Sequence, residues 1–257
     1  MKKVLLFTTA LSLLCLNSYS QGCIAVRNIS GFGQYNFTNN SYSTSNWQLN
    51  LTGRYFKSFR DFKGSVDQKT PKQDESVNHV YALDISLSRM LKKGWSFNFS
   101  LPITANDRTS SLEHGGPNTK RHTTHSFGVG DIRFTAYKWL LSPDVKQKWN
   151  VQLGLGIKLP TGDYKYQDYF YRNDSTKVLS LVGPSILLGD GGTGIITELN
   201  TFYIVNKAVS LYGNFYYLLN PRDQNGQIFT TGRPLDPIRI KAGAVELTVP
   251  DVFSLRA

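Results

Sequence analysis

"KWNVQLGLGIKLPTGDYKYQDYF", residues 148–170, is the stretch on which the fold turns. From Trp149 to Leu159 every odd position is apolar: Trp149, Val151, Leu153, Leu155, Ile157 and Leu159. The even positions between them are Asn150, Gln152, Gly154, Gly156 and Lys158. Successive side chains of a strand point to opposite faces, so one face of this strand meets an apolar medium and the other a polar one. A water-soluble sandwich and a membrane barrel both alternate in this way. What separates them is the identity of the apolar medium.

The period recurs along the chain. "NWQLNLTGRYF" sets Trp47, Leu49, Leu51 and Tyr55 against Gln48, Asn50, Thr52 and Arg54. "VYALDISLSRML" sets Tyr81, Leu83, Ile85 and Leu87 against Asp84, Ser86 and Ser88. "GWSFNFSLPIT" and "VSLYGNFYYLL" repeat the pattern from Trp95 to Ile103 and from Val209 to Leu219. Each run has about 10 residues, the length a tilted strand needs to cross a bilayer. Three further strands are less regular. In "GDIRFTAYKWL", Ile132 and Phe134 read outward and Asp131 and Arg133 inward, with Tyr137 and Trp139 on the other phase. In "GIITELNTFYIV" the phase is ambiguous at Ile195 and Ile196, and Glu198 and Asn200 are the best inward positions. "IRIKAGAVELTV" changes phase near Gly243, where a bulge is expected.

The connections decide between the two media. Residues 58–78, 105–124, 160–193 and 220–237 form long connections, and residues 91–94, 141–147, 206–208 and 250–252 form short ones between them. A sandwich has no reason to keep every second loop short. An outer-membrane barrel does, because its periplasmic turns are tight and its external loops long. The expected fold class is therefore all-β, an antiparallel transmembrane β-barrel of the bacterial outer membrane. About eight strands are visible by Val249, with "DVFSLRA" beginning another. Barrels of this type use even strand numbers, so about 10–12 strands are expected in the complete barrel, with the chain truncated at its C-terminal end.

The N-terminus agrees with export. "MKKVLLFTTALSLLCLNSYSQGC" has a basic start (Lys2, Lys3), an apolar stretch from Val4 to Leu16, and small residues at Ser18 and Ser20. The apolar stretch is shorter than the roughly 20 residues of a spanning helix, so residues 1–20 read as a cleaved signal peptide. Residues 21–45 are a periplasmic or plug segment, and 46–257 the barrel. Of the two cysteines, Cys15 leaves with the signal, so Cys23 has no internal disulfide partner; lipidation of Cys23 is the rival reading of that site. The formal charge is +11, charged residues make up 18% of the chain and aromatics 13%. In an exported chain with no base-stacking module, this basic balance points to an anionic membrane surface and not to nucleic acid.

At "LGLGIKLPTGDY", preceded by "FGVGDIRFTAYKWLL", the sequence resembles the outer-membrane proteins grouped with the phenol-degradation meta-pathway (MetA-pathway) transporters. The residues that carry the resemblance are Gly130-Asp131, opening one strand, and Lys158 to Asp163, Lys-Leu-Pro-Thr-Gly-Asp, closing the next. It covers roughly residues 126–220. The resemblance implies a barrel that passes small, often hydrophobic molecules, and it does not identify the substrate.

Inward-facing charges are the candidate lining of a solute path: Arg54, Asp84, Asp131, Arg133, Lys158, Glu198 and Arg239, with Lys241 beside them. A lysine or arginine facing lipid at mid-membrane costs roughly 2–4 kcal/mol, so these groups must pair or line water. Paired, they fill a narrow eight-stranded barrel; lining water, they make a slightly basic path in a wider one. Asp163, Tyr164, Tyr166 and Tyr169 are candidates for external-loop binding, with Asp163 also suited to a turn after Pro160. Glu113, His114, His122 and His125 share one loop, but Gly115-Gly116-Pro117 interrupts it and the expectation is a solvated basic loop with no metal. "GDGGTG", residues 189–194, has the glycine density of a phosphate cradle without its Lys-Ser/Thr ending, and reads as a flexible turn.

The sequence thus points to an outer-membrane channel or transporter for small solutes, hydrophobic or anionic. One alternative is a structural or adhesive barrel binding partners through its loops. A third reading is a rim-located lipid hydrolase or transferase using His125 and Ser126, but neighbours on a strand face opposite ways and no catalytic trio is visible. No catalytic residues and no cofactor are expected. The partners implied are outer-membrane lipid and lipopolysaccharide, a small-molecule solute and the barrel-assembly machinery.

Overall fold

The computed structural model describes residues 47–60, 62–63, 66–67, 70–141, 147–173, 175–206, 208–234 and 246–256. The signal segment, residues 21–45, Arg239 and Lys241 lie outside these residues. The chain is all-β, an antiparallel sheet curled into a half-barrel. Its strands are β1 (Trp47–Ser58), β2 (Phe62–Lys63), β3 (Val66–Asp67), β4 (Val77–Met90), β5 (Trp95–Ser110), β6 (His122–Val129), β7 (Arg133–Trp139) and β8 (Trp149–Lys158). They continue with β9 (Gln167–Tyr171), β10 (Lys177–Leu181), β11 (Gly194–Ile204), β12 (Ser210–Leu219), β13 (Gln224–Ile228), β14 (Glu246–Thr248) and β15 (Val252–Arg256). The wall runs β1-β4-β5-β7-β8-β11-β12-β15, with β6 continuing the line of β7 along β5. β2–β3, β9–β10 and β13–β14 are small hairpins within the long connections.

Burial follows the alternation with inverted polarity. Leu49, Leu51, Leu83, Phe127, Leu153, Ile157 and Leu255 are exposed, and Leu155 is 64% exposed. Ser88, Asn98, Asn150 and Asn214 on the opposite face are buried, and Gln152 is only 1% exposed. Held in water, each of those exposed aliphatic and aromatic side chains forgoes about 1.5–3 kcal/mol of burial energy. An apolar surface this continuous requires something apolar against it.

The short ends are built from local chemistry. Between β4 and β5 the chain reverses over Leu91–Gly94, with Lys93 (φ 60) and Gly94 (φ 73) left-handed and Leu91 N donating to Trp95 O at 2.8 Å. Between β11 and β12, Asn206 Oδ1 accepts from Ala208 N and Val209 N at 2.8 and 2.9 Å, an Asx turn.

The β6–β7 break is a bulge. Ile103 pairs with Val129 and Ser100 with Arg133, so four residue steps on one strand face three on β5. The extra residue lies opposite Pro102, whose ring cannot donate to the ladder, and Gly130 N instead donates to Pro102 O at 2.8 Å. The bulge moves the inward phase from even positions (Thr124, Ser126) to odd ones (Thr135, Tyr137, Trp139). Within β7 there is no further switch. Tyr137 and Trp139, which the sequence pattern puts on the other phase, share the inner face with Arg133: Gly154 leaves room for the tyrosine ring, and Trp139 packs with Met90 and Phe202.

The last wall strand corrects the strand assignment. Residues 238–249 were expected to form a wall strand followed by a short turn at 250–252. Instead Glu246–Thr248 pairs with β13 in the long connection, and "DVFSLRA" supplies β15, paired with β12 from Leu218↔Val252 to Asn214↔Arg256. Asp251 fixes this return, accepting from Asn220 N at 2.7 Å and Tyr217 Oη at 2.9 Å. Among the described residues the wall therefore has eight positions with β15 as the eighth, and its long connections lie at one end. Among the described residues, β1 and β15 each leave one edge unpaired.

Candidate functional site

The inner face is lined by amides and hydroxyls, several of which bond one another across strands. Asn200 Nδ2 donates to Gln152 Oε1 at 3.1 Å, and Asn214 Nδ2 to Asn200 Oδ1 at 2.7 Å, a ladder spanning β8, β11 and β12. Ser86 Oγ bonds Asn98 Oδ1 at 3.2 Å between β4 and β5. Most of the charges on this face are paired. Arg54 donates from Nε and Nη2 to Asp84 Oδ2 at 3.0 and 2.6 Å. Tyr137 Oη donates to Glu198 Oε2 at 3.0 Å across β8, passing over Gly154, where a Cβ would stand 2.6 Å from the tyrosine ring. Arg133 faces inward opposite Lys158, and its Nε is buried without a hydrogen-bond partner among the described residues.

The two sequence motifs interlock at the bulge. Lys158, at the end of β8, is 3% exposed, with its Nζ bonded to both carboxylate oxygens of Asp190 and 3.7 Å from Asp131 Oδ2. Asp131 also accepts from Gly162 N at 3.0 Å and Asp190 N at 3.3 Å. Thr161 Oγ1 donates to Gly130 O at 3.0 Å and accepts from Ile132 N at 2.9 Å. Gly162 and Gly189 press together so closely that a Cβ on either would come within 2.9 Å of the other's backbone. Residues 160–193 thus leave and rejoin the wall at one clasp. The three Gly-Asp pairs of this region divide the work: Asp131 and Asp190 converge on Lys158, while Asp163 makes only a local turn with Lys165 N at 2.9 Å.

Between its clasped ends, the connection crosses the inner face. Ile186 O accepts from Asn106 Nδ2 at 3.2 Å and from Ser126 Oγ. Ser185 Oγ donates to Asn78 Oδ1 at 3.0 Å and accepts from Arg108 Nη1 at 3.2 Å. Arg108 in turn is held by Glu113 at 2.7 Å. Leu181, Val182, Ile186 and Leu187 form a buried cluster with Tyr166 and Leu247 against it. Residues 182–189 are therefore a strap lying over the inner wall of β4, β5 and β6, at the end that carries the long connections.

Above the strap, His114 is wholly buried. Its Nδ1 accepts from Tyr171 N at 3.0 Å, and its ring stacks on Phe170 at 5.3 Å. His122 stacks on Tyr171 at 4.1 Å. Burial first, then the neighbouring His122, pushes His114 down from 6.5 to about 4; Arg172 adds to this, while Glu113 and Asp168 oppose it. The folded loop binds this proton less readily than the unfolded chain, so acidification from about 6.5 to about 4 removes stability, and no more is lost below that. Hydrogen exchange across residues 111–121 at stepped pH is expected to show protection falling over this window, and His114→Gln is expected to flatten the profile. An equal slope in the variant would exclude His114 as its source.

The positions singled out by sequence fall into different places. Arg54, Asp84, Asp131, Arg133, Lys158 and Glu198 face inward; all but Arg133 and Glu198 are joined in the ion pairs described. Tyr166 packs against the strap cluster, the Tyr164 ring abuts Gly191, and Tyr169 is exposed beneath Lys177 at 4.3 Å. Of Glu113, His114, His122 and His125 only two come together: the His114 and His122 rings lie 5.4 Å apart, with His114 buried where a solvated loop was expected, while Glu113 is taken by Arg108 and His125 is on the outer face, 2.7 Å from Asp107. Ser126 points inward to Ile186 O, away from His125. No group of residues suited to hold a metal ion occurs among the described residues. "GDGGTG" is a pinned turn: Gly192 N bonds Asp190 Oδ1 at 2.9 Å and Asn225 Nδ2 bonds Asp190 O at 3.0 Å. Asp190, Arg108 and Asn106 are the site residues the pattern missed. The third Gly-Asp pair was the available signal for Asp190; Arg108 and Asn106 had none, since they lie beyond the alternating apolar run of β5.

Residues 77–176 match the family model described as "Putative MetA-pathway of phenol degradation". The family resemblance read from Gly130-Asp131 and Lys158–Asp163 thus holds over β4 to the β9–β10 turn, a segment that starts and ends earlier than 126–220. No curated protein matches the chain.

Proposed function

We propose, from a chain that carries this family's segment, an outer-membrane barrel that passes small solutes along a polar inner face narrowed by the 182–189 strap. The observation that carries the reading is the inverted polarity: aliphatic and aromatic side chains outward and bare, amides and hydroxyls inward and buried, with cross-strand bonds among them. Lipid is the medium that such an outer face fits, and long connections gathered at one end fit the external side of an outer membrane. Eight strands bend through only half a barrel, a curvature wider than that of a closed eight-stranded one, whose interior side chains fill. The paired lining charges, Arg54 with Asp84 and Lys158 with Asp131 and Asp190, leave the path polar with little net charge. An exported N-terminus and the family's association with aromatic compounds are consistent with uptake of small, weakly polar molecules. Purified protein reconstituted in planar bilayers is expected to give discrete conductance steps. Silent insertion, verified by protease protection of the wall, would remove the transport reading.

A further inference from the structure

Three connections meet at the tip of the long-loop end: residues 111–121, the turn after β9, and residues 229–233. There, Arg172 Nη1 donates to His114 O at 3.4 Å and Arg233 Nη2 to the same oxygen at 3.2 Å. Two guanidiniums share one carbonyl, with no more than two hydrogen-bond lengths between their nitrogens. Arg233 also reaches Leu112 O at 3.4 Å, another neutral acceptor at long range. Neither arginine has a carboxylate partner among the described residues; the nearby Glu113 is occupied by Arg108.

The cluster also holds unused donors. Arg172 Nη2 is buried without a partner, and Gly232, left-handed at φ +72, lies so close that a Cβ there would be 3.0 Å from it. His114 Nδ1 accepts from backbone, so the neutral ring carries its proton on Nε2, and that fully buried atom has no partner either. Arg172 is pushed below the usual arginine range, by burial first and then by the charge of Arg233. A carbonyl oxygen supplies only a partial charge to two full cations, whereas an oxyanion can accept from both forks at once.

We propose that Arg172 and Arg233, with His114 beside them, form an oxyanion-binding site at the loop tip that takes a phosphate group, on a free solute or on a lipid headgroup. The site is separate from the inner lining and rests on the channel reading only in its biological role: it would concentrate anionic solute, or anchor lipid phosphate, at the mouth. Binding itself needs no conductance, so the two readings fail separately.

The test is equilibrium binding to the full chain in detergent. Titration with inorganic phosphate, at ionic strength held constant with chloride, is expected to raise the thermal midpoint saturably, and Arg233→Gln to weaken the apparent affinity at least tenfold. Arg233 is exposed and holds only the long bonds above, so its removal leaves the wall intact; Arg172→Gln gives a second measure. Arg222→Gln, outside the cluster with its Nε on Gln224 O, is expected to bind as the unaltered chain does. A parallel arm uses detergent micelles with and without phosphatidic acid. Saturation by free phosphate identifies a solute, and saturation by phosphatidic acid alone, still dependent on Arg233, identifies a headgroup. No saturation in either arm, equal binding by Arg233→Gln, or equal loss in Arg222→Gln overturns the site.

Discussion

Leu155→Arg is expected to abolish insertion of the protein into lipid vesicles while Gln152→Leu is tolerated there. Leu155 sits mid-strand in β8 on the bare outer face, and Gln152 on the buried inner one. If lipid covers the outer face, an arginine near its midplane costs about 2–4 kcal/mol, a large part of the stability of a marginal fold. If water covers it, the same substitution is harmless or improves solubility. Few single substitutions separate the two media so widely. Folding into vesicles, followed by the gel shift between folded and heated forms, measures it. Insertion of Leu155→Arg as efficient as that of the unaltered chain would sink the lipid assignment, and with it the proposed transport.

The second large effect is expected at the clasp. Lys158→Met leaves Asp131 and Asp190 facing each other at the bulge without their cation. Removing one partner from a buried ion pair typically costs about 3–5 kcal/mol, because the remaining charge is left desolvated. Here the loss is expected to be local: the ends of residues 160–193 part, and the strap lifts from Asn106, Ser126 and Ser185's partners Asn78 and Arg108. Protease cleavage within 160–193 should rise several-fold, and conductance should increase if the strap narrows the path. Adding Asp190→Asn to Lys158→Met removes one of the opposed charges and should recover part of the protection, a coupling that a double-mutant cycle reads directly. Equal cleavage in all variants would show that the clasp does not hold the strap.

Much of the wall was legible because a strand's two-residue period writes the environment of each face into the chain. Leu153, Leu155 and Ile157 read outward and Asn150, Gln152 and Lys158 inward, and they lie so. The alternating long and short connections likewise placed one end of the sheet correctly. Legibility failed where the period was interrupted. Residues 238–249 alternate well enough to look like a wall strand, yet a loop hairpin takes Glu246–Thr248, and pairing with β12 falls to Val252–Arg256. Periodicity reports two unlike faces; it does not say which partner a strand has. The change of apolar phase at Tyr137 has a related reason: an aromatic side chain faces inward there because the glycine opposite it, Gly154, makes space within.

The sequence by itself determined the class of fold, the facing of the regular strands, and the motif residues Gly130-Asp131 and Lys158–Asp163 on which the family likeness rests. Those are properties of neighbours along the chain, and local spacing is enough to specify them. Only the tertiary structure decided that Asp131, Lys158 and Asp190 meet, that the 160–193 connection turns inward as a strap, and that Arg172 and Arg233 share one oxygen. Each of those contacts joins residues far apart in the chain. The clasp arises where the bulge opposite Pro102 and the small residues Gly162 and Gly189 let distant backbones approach. No period in a linear sequence carries that information, because it resides in the distances between segments.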